Sequence, residues 1–196
     1  RGTYVGSMKG VIHQLHPAAR IVDLTHRVTP QAIREGAFLL HGAYRDFPPG
    51  TIHVAVVDPG VGTARRPLAL AVPGIGYCLG PDNGLFSALL AEHPASEVRA
   101  IAHPEATIAR LGRAISATFH GRDIFAPAAA FLAGGGAFAA LGARLDPAAL
   151  VRLPRVWADW DTPGDRGRGL RGEVVHIDSF GNLITNIPRG RFVDLP

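Results

Sequence analysis

The chain has 196 residues, 47% of them hydrophobic and 18% charged, with a formal net charge of +4 and a single cysteine, Cys78. This balance supports a buried core and excludes the disordered class, and a lone cysteine excludes an internal disulfide framework and suits a reducing, cytoplasmic setting. The absence of any run of about 18 consecutive apolar residues argues against a transmembrane helix, and Arg1-Gly-Thr-Tyr4 opens no signal-peptide pattern.

In chain order, Tyr4, Met8, Val11, Ile12 and Leu15 fall at helical spacing and predict a helix over residues 4–15. Arg20–Leu24 reads as a short strand. Pro30 opens a second helix that runs to about Tyr44, with Ile33, Ala37 and Leu40 on one face. Thr51–Val57 reads as a buried strand ending at Asp58-Pro-Gly60. Apolar runs at Pro67–Val72 and Ile75–Leu79 predict two further strands, and Gly80-Pro-Asp-Asn-Gly84 has turn chemistry. Next come a helix over Leu85–Glu92, a strand over Val98–Ala102 and a short helix over Ala106–Leu111. An Ala-rich helix over Arg122–Ala133 stops at Gly134-Gly-Gly136.

Alternating strands and helices predict an α/β fold: an N-terminal α/β domain with a mainly parallel sheet over residues 1–152. Residues 153–168, rich in Pro, Asp, Gly and Arg, read as a linker. β-like runs at Gly172–Ile177 and Asn182–Ile187 begin a smaller β-rich C-terminal domain over residues 169–196, too short for a core of its own. The Arg166, Arg168 and Arg171 cluster lacks interleaved aromatics and reads as a loop entering a strand, not as a nucleic-acid grip. His13 and His16 share a helix face without a third ligand, so no zinc site is expected.

Three segments carry chemistry. Asp58-Pro-Gly-Val-Gly-Thr63-Ala-Arg65 puts a carboxylate at a strand end, where open α/β sheets place ligand groups, and Arg65 can return beside it. A capped turn with solvated arginines is an equal alternative on spacing alone. In Thr118-Phe-His120-Gly-Arg-Asp123, Asp123 suits a helix N-terminus and His120 is a candidate proton carrier. In Asp178-Ser-Phe180-Gly-Asn182, an acid, an aromatic and an amide suit an ammonium, a flat ring and an amino-acid head group; an Asx turn around a core Phe is the plainer alternative. Neither Gly74-Ile-Gly76 nor Gly134-Gly-Gly136 completes a dinucleotide fingerprint.

Tyr4-Val-Gly-Ser-Met-Lys-Gly10, Asp23-Leu-Thr-His26, Val57–Thr63, Gly80–Leu85, Thr118–Ile124 and Ile177–Leu183 together resemble the SAM hydroxide adenosyltransferases, relatives of the SAM-dependent fluorinases and chlorinases. The resemblance implies hydrolysis of S-adenosyl-L-methionine (SAM) to adenosine and L-methionine, with catalytic roles for Asp58, Arg65 and His120 and no metal or organic cofactor. Asp58 would orient water, Arg65 would fix Asp58 and His120 would take the proton. It further implies that Thr118, Phe119, Asp178, Phe180 and Asn182 line the substrate, with Asp178 and Asn182 at its methionine end. Halogenases of this fold carry Tyr at the positions of Asp58 and His120, and fluoride-holding hydroxyls where Val61 and Gly121 stand here. A halogenase and a non-catalytic SAM or adenosine sensor are the alternatives. Relatives form trimers, which implies a homotrimer with neither a nucleic-acid nor a membrane partner. Family members usually begin with a strand and a Thr-Asp-Phe-Gly segment whose Asp binds the ribose. Here the chain starts at Arg1, Gly2 and Thr3 stand where an acidic residue often precedes Tyr-Val-Gly, and the segment that helps hold adenine would follow Pro196. The expectation is therefore a fragment of a longer protein.

Overall fold

The computed structural model describes residues 2–102, 112, 114–154, 159–160 and 170–192. The chain divides into two compact units, Arg1–Arg152 and Leu153–Pro196. Most of the expected linker, and the expected helix at 106–111, lie outside the described residues.

The first unit is α/β, as its sequence pattern predicts. Its helices are α1 (Tyr4–Leu15), α2 (Ile33–Ala43), α3 (Ser87–Glu92) and α4 (Ala126–Ala133); its strands are β1 (Thr51–Val54), β2 (Pro67–Val72), β3 (Gly76–Pro81), β4 (Glu97–Ala100) and β5 (Arg144–Leu145). The sheet order is β1-β3-β2-β4-β5. β1 and β3 pair in parallel, whereas β2–β3, β2–β4 and β4–β5 pair antiparallel. The sheet is thus mixed. A three-residue turn joins β2 to β3, and so short a link can only return the chain antiparallel. Arg20–Leu24 forms no strand and pairs with no ladder partner among the described residues; Asp23 is tied instead to Lys9 (2.6 Å) and His26 (3.0 Å).

Strand alternation divides the core between the two faces of the sheet. Leu68, Leu70, Val72 and Cys78 pack with Leu40, Phe86 and Leu89 on one side. Ala69 and Leu79 meet Ile124, Phe125, Ala128 and Leu132 on the other. Helix α1 lies on α4 through Val11, Ile12, Ala126 and Ala130, where small residues allow close approach. Burial pushes the Cys78 thiol up to about 12, so it is a packing group rather than a reactive one. No helix among the described residues is long and apolar enough to cross a membrane.

Directly ahead of α4, Gly121–Phe125 forms a π-helical turn, closed by the Ala126 N–H donating to the Gly121 carbonyl. Such wide turns recur at functional sites, where they re-aim side chains.

The second unit holds β6 (Asp159–Trp160) paired with β7 (Leu170–Arg171), a hairpin of β8 (Val174–Ile177) and β9 (Leu183–Thr185), and a short helix α5 (Arg189–Phe192). Asn186 closes the hairpin base, its Oδ1 accepting from the Glu173 N–H at 2.8 Å.

Candidate active site

Asp58 follows β1 and opens a loop that returns to β2 at Pro67. The loop is a series of tight turns: Thr63 Oγ1 donates to the Gly60 carbonyl at 2.7 Å and accepts from the Arg65 N–H at 3.3 Å. Gly62 sits at φ +78, and a Cβ there would lie 2.3 Å from the Ala117 carbonyl. Only glycine allows the loop tip to approach the segment before His120 so closely.

The turns bring Arg65 back onto Asp58. Arg65 Nε donates to Asp58 Oδ1 at 2.8 Å and Nη2 to Oδ2, a forked pair. The two side chains are only 8% and 4% exposed. Nη2 also meets His120 Nδ1 at 2.8 Å, and the guanidinium lies over the Phe125 ring at 5.5 Å. Guanidinium only donates, so Nδ1 must accept, which fixes a neutral imidazole with its proton on Nε2. Burial, and then the Arg65 charge, hold the His120 pKa below its ordinary value of 6.5, partly offset by Asp58 and Asp123. Nη1 of Arg65 is buried with no acceptor among the described residues.

His120 is held from behind by the π turn. Asp123, 1% exposed, accepts from Arg122 Nε at 2.6 Å and from the Ser116 N–H at 2.8 Å. It thereby joins the turn to the segment before it, a tighter role than the helix-end charge expected from sequence. Phe119 lies under the Arg122 guanidinium (4.9 Å) and edge-on to Tyr4 (4.8 Å). Thr118 is exposed, its Oγ1 3.1 Å from Ser116 Oγ.

In the second unit, Asp178 and Asn182 form the β8–β9 turn. Asp178 Oδ1 accepts from the N–H groups of Phe180 and Asn182, each at 2.9 Å, and Oδ2 from Asn182 Nδ2 at 2.7 Å. The Asn182 side-chain bond, with the backbone bonds, holds the Asp178 carboxyl below the usual range. This is the Asx turn weighed from sequence, but Phe180 is no core residue: at 90% exposed it projects from the hairpin tip.

A sequence profile of the SAM hydroxide adenosyltransferase N-terminal domain matches residues 1–142, and one of the C-terminal domain matches residues 172–195. The chain belongs to the SAM hydroxide adenosyltransferase family. Relatives named (R)-S-adenosyl-L-methionine hydrolase include proteins from Salinispora arenicola, 44% identical over 181 residues, and Salinispora tropica, 46% identical over 185 residues. Each match covers 92% of this chain, which spans 65% of the length of either relative. A crystal structure of an uncharacterized conserved protein from Thermotoga maritima is 37% identical with a TM-score of 0.86, covering 100% of this chain and 70% of that one.

Within this family member, Asp58, Arg65 and His120 meet as one hydrogen-bonded chain, and Thr118 and Phe119 flank it in the same unit. Asp178, Phe180 and Asn182 meet one another in the other unit. Sequence reasoning missed Ser116 and Arg122, whose roles depend on the π turn, and Asn83, which reaches back to the peptide before Asp58. The signal for Asn83 was the Gly80–Leu85 segment, which has turn chemistry and is one of the stretches that carry the family resemblance, but neither names its partner.

Proposed function

We propose that this protein hydrolyses SAM to adenosine and L-methionine by in-line attack of water on C5′. A C5′–O bond forms as the C5′–S bond breaks, and its electron pair leaves with sulfur as a neutral thioether. The leaving group therefore needs neither a general acid nor a Lewis acid. What remains is to hold and polarise one water in a dry site. The observation that carries the reading is the enclosed Asp58–Arg65–His120 chain in a member of this family. Tyr stands at the positions of Asp58 and His120 in the halogenases, so these two residues favour water over halide. The test is incubation with SAM, a chelator and concentrated chloride, followed by chromatography and mass spectrometry. Adenosine and methionine are expected; methylthioadenosine, S-adenosylhomocysteine or a 5′-halo-adenosine as main product sinks the assignment.

Asp58 accepts a hydrogen bond from the water. The oxonium formed on attack is a strong acid, so Asp58 can take its proton even while paired with Arg65. Arg65 fixes both carboxylate oxygens, and its buried Nη1 supplies a donor for a ligand oxygen, since a buried donor left without one costs free energy. The part given to His120 shifts from that read in the sequence. Its one free lone pair already accepts from Arg65, so it serves as a neutral acceptor that holds Nη2.

This part has a pH signature. Because the folded pKa of His120 lies below 6.5, turnover should hold at neutral pH and fall on the acid side, where the protonated ring faces Arg65. Stability should follow the same sign: the unfolded chain binds the proton first, so stability declines from about pH 6.5 downward. His120→Asn keeps an acceptor without a titrating ring. It should retain much more turnover than His120→Ala and lack the acid limb. Equal loss in both variants would return the proton to His120.

The reading extends to Asp178 and Asn182 at the methionine end, Phe180 against a ring of the substrate, and Thr118 and Phe119 lining it. It also extends to a homotrimer in the cytoplasm, and light scattering of the purified protein reads the assembly.

A further inference from the structure

The loop from Asp58 to Arg65 must hold two charged groups in register, yet its own turns are short and its glycines soft. What fixes it sits outside the loop. The pairing of β1 with β3 continues one step past β1, with the Ala55 N–H donating to the Leu79 carbonyl at 2.9 Å. The two chains run so close that a Cβ on Gly80 would lie 2.3 Å from the Ala55 carbonyl. Beyond that point no further β1–β3 ladder bond is found among the described residues, and a side chain takes over. Asn83 Nδ2 donates to the Val57 carbonyl at 2.8 Å, while Oδ1 accepts from the Leu85 N–H at 3.2 Å. A carbonyl can only accept and this N–H only donate, so the partners themselves set the orientation of the amide. Val57 is also wedged from its other side, because a Cβ on Gly36 would lie 2.8 Å from Val57 Cγ2.

The neighbouring residue holds the other end of the loop. The Asp82 N–H donates to the Arg66 carbonyl at 2.9 Å. The Asp82 carboxylate, 4% exposed, accepts from Arg66 Nε at 2.9 Å and from the Val151 N–H at 2.9 Å. Two consecutive residues thus grip the peptide just before Asp58 and the residue just after Arg65. The neck is held there, and the tip is held by Gly62 against Ala117.

We infer that Asp82 and Asn83 are positioning residues for the reaction: they clamp the neck of the Asp58–Arg65 loop and so set the carboxylate and guanidinium where water is activated. This rests on the hydrolase reading above. A plain turn role makes a different prediction. The turn at Asn83 needs only the Oδ1 acceptor for Leu85, which an Asp supplies equally well. The clamp needs the Nδ2 donor, which an Asp lacks.

The test compares Asn83→Asp and Asn83→Ala with wild type, reading turnover at saturating SAM and, separately, SAM affinity by calorimetry. Displacing a reacting group by about 1 Å costs on the order of 100-fold in rate. Both variants should lose turnover on that scale while SAM affinity stays within a few-fold. Asn83→Asp at wild-type turnover would overturn the clamp, as would a loss of turnover matched by an equal loss of affinity. The isosteric Asn83→Asp carries the test if Asn83→Ala does not fold. Should wild type release no adenosine and methionine, the hydrolase reading fails on its own. The clamp is then decided by a crystal structure of Asn83→Asp. Displaced Asp58 and Arg65 side chains support it, and a loop superposable on wild type refutes it.

Discussion

Asp58→Asn is expected to keep SAM binding and lose turnover by about 10²–10⁴-fold, the usual contribution of a group that handles the proton of a nucleophile. The substitution preserves size and shape, so the loop need not move. It removes the anion, and one of the two atoms facing the Arg65 fork becomes a donor pointed at a donor. The amide can satisfy either Nε or Nη2 of Arg65 but not both. The water loses its acceptor at the same moment. The measurement is turnover at saturating SAM beside an independent binding constant. Near-normal turnover would mean that water is activated elsewhere and that the Asp58–Arg65–His120 chain is structural.

The second large effect is expected in Arg65→Ala, and it falls on stability as well as rate. Asp58 and Arg65 are 4% and 8% exposed, so truncating the cation strands a carboxylate away from water. Breaking a buried pair from one side typically costs about 3–5 kcal/mol. His120 Nδ1 loses its donor in the same step. Arg65→Lys separates the two consequences: an ammonium restores the charge but cannot reproduce the planar fork that spans both oxygens and the imidazole. Urea unfolding should show Arg65→Lys well above Arg65→Ala in stability, with both far below wild type in turnover. If Arg65→Ala unfolds at the wild-type midpoint, the pair is not shielded from water.

Much of this arrangement was legible in the sequence, and the exceptions have physical causes. Helix α1 could be read from the spacing of Tyr4, Met8, Val11, Ile12 and Leu15, because periodicity is a local property. Asp58 and Arg65 could be paired because six intervening positions, two of them glycine, bring a chain back on itself. Arg20–Leu24 looked like a strand because Ile21, Val22 and Leu24 are apolar, but a strand exists only with a ladder partner, and no local pattern supplies one. The sheet proved mixed because alternation of element types does not say which strands are joined by a short turn. Asn83 carried a visible turn signal, yet nothing in that signal names the Val57 carbonyl, 26 residues earlier, as its acceptor. Asp178 and Asn182 were recognisable as a pair from their spacing. The exposure of Phe180 was not, since an aromatic in a turn reads equally well as core.

The π turn at Gly121–Phe125 separates two properties that a regular helix ties together. An α-helix advances about 100° per residue, so one surplus residue in a turn swings everything upstream by roughly that angle. Helix α4 can seat Ala126 and Ala130 on α1 whatever precedes it, while the azimuth of His120 is set by the extra residue ahead. Deleting a position ahead of the buried Ile124 and Phe125 would let the segment close as ordinary helix and rotate the imidazole away from Arg65, while those two side chains keep their packing with Ala128 and Leu132. Chain length there, more than residue identity, is what aims the histidine.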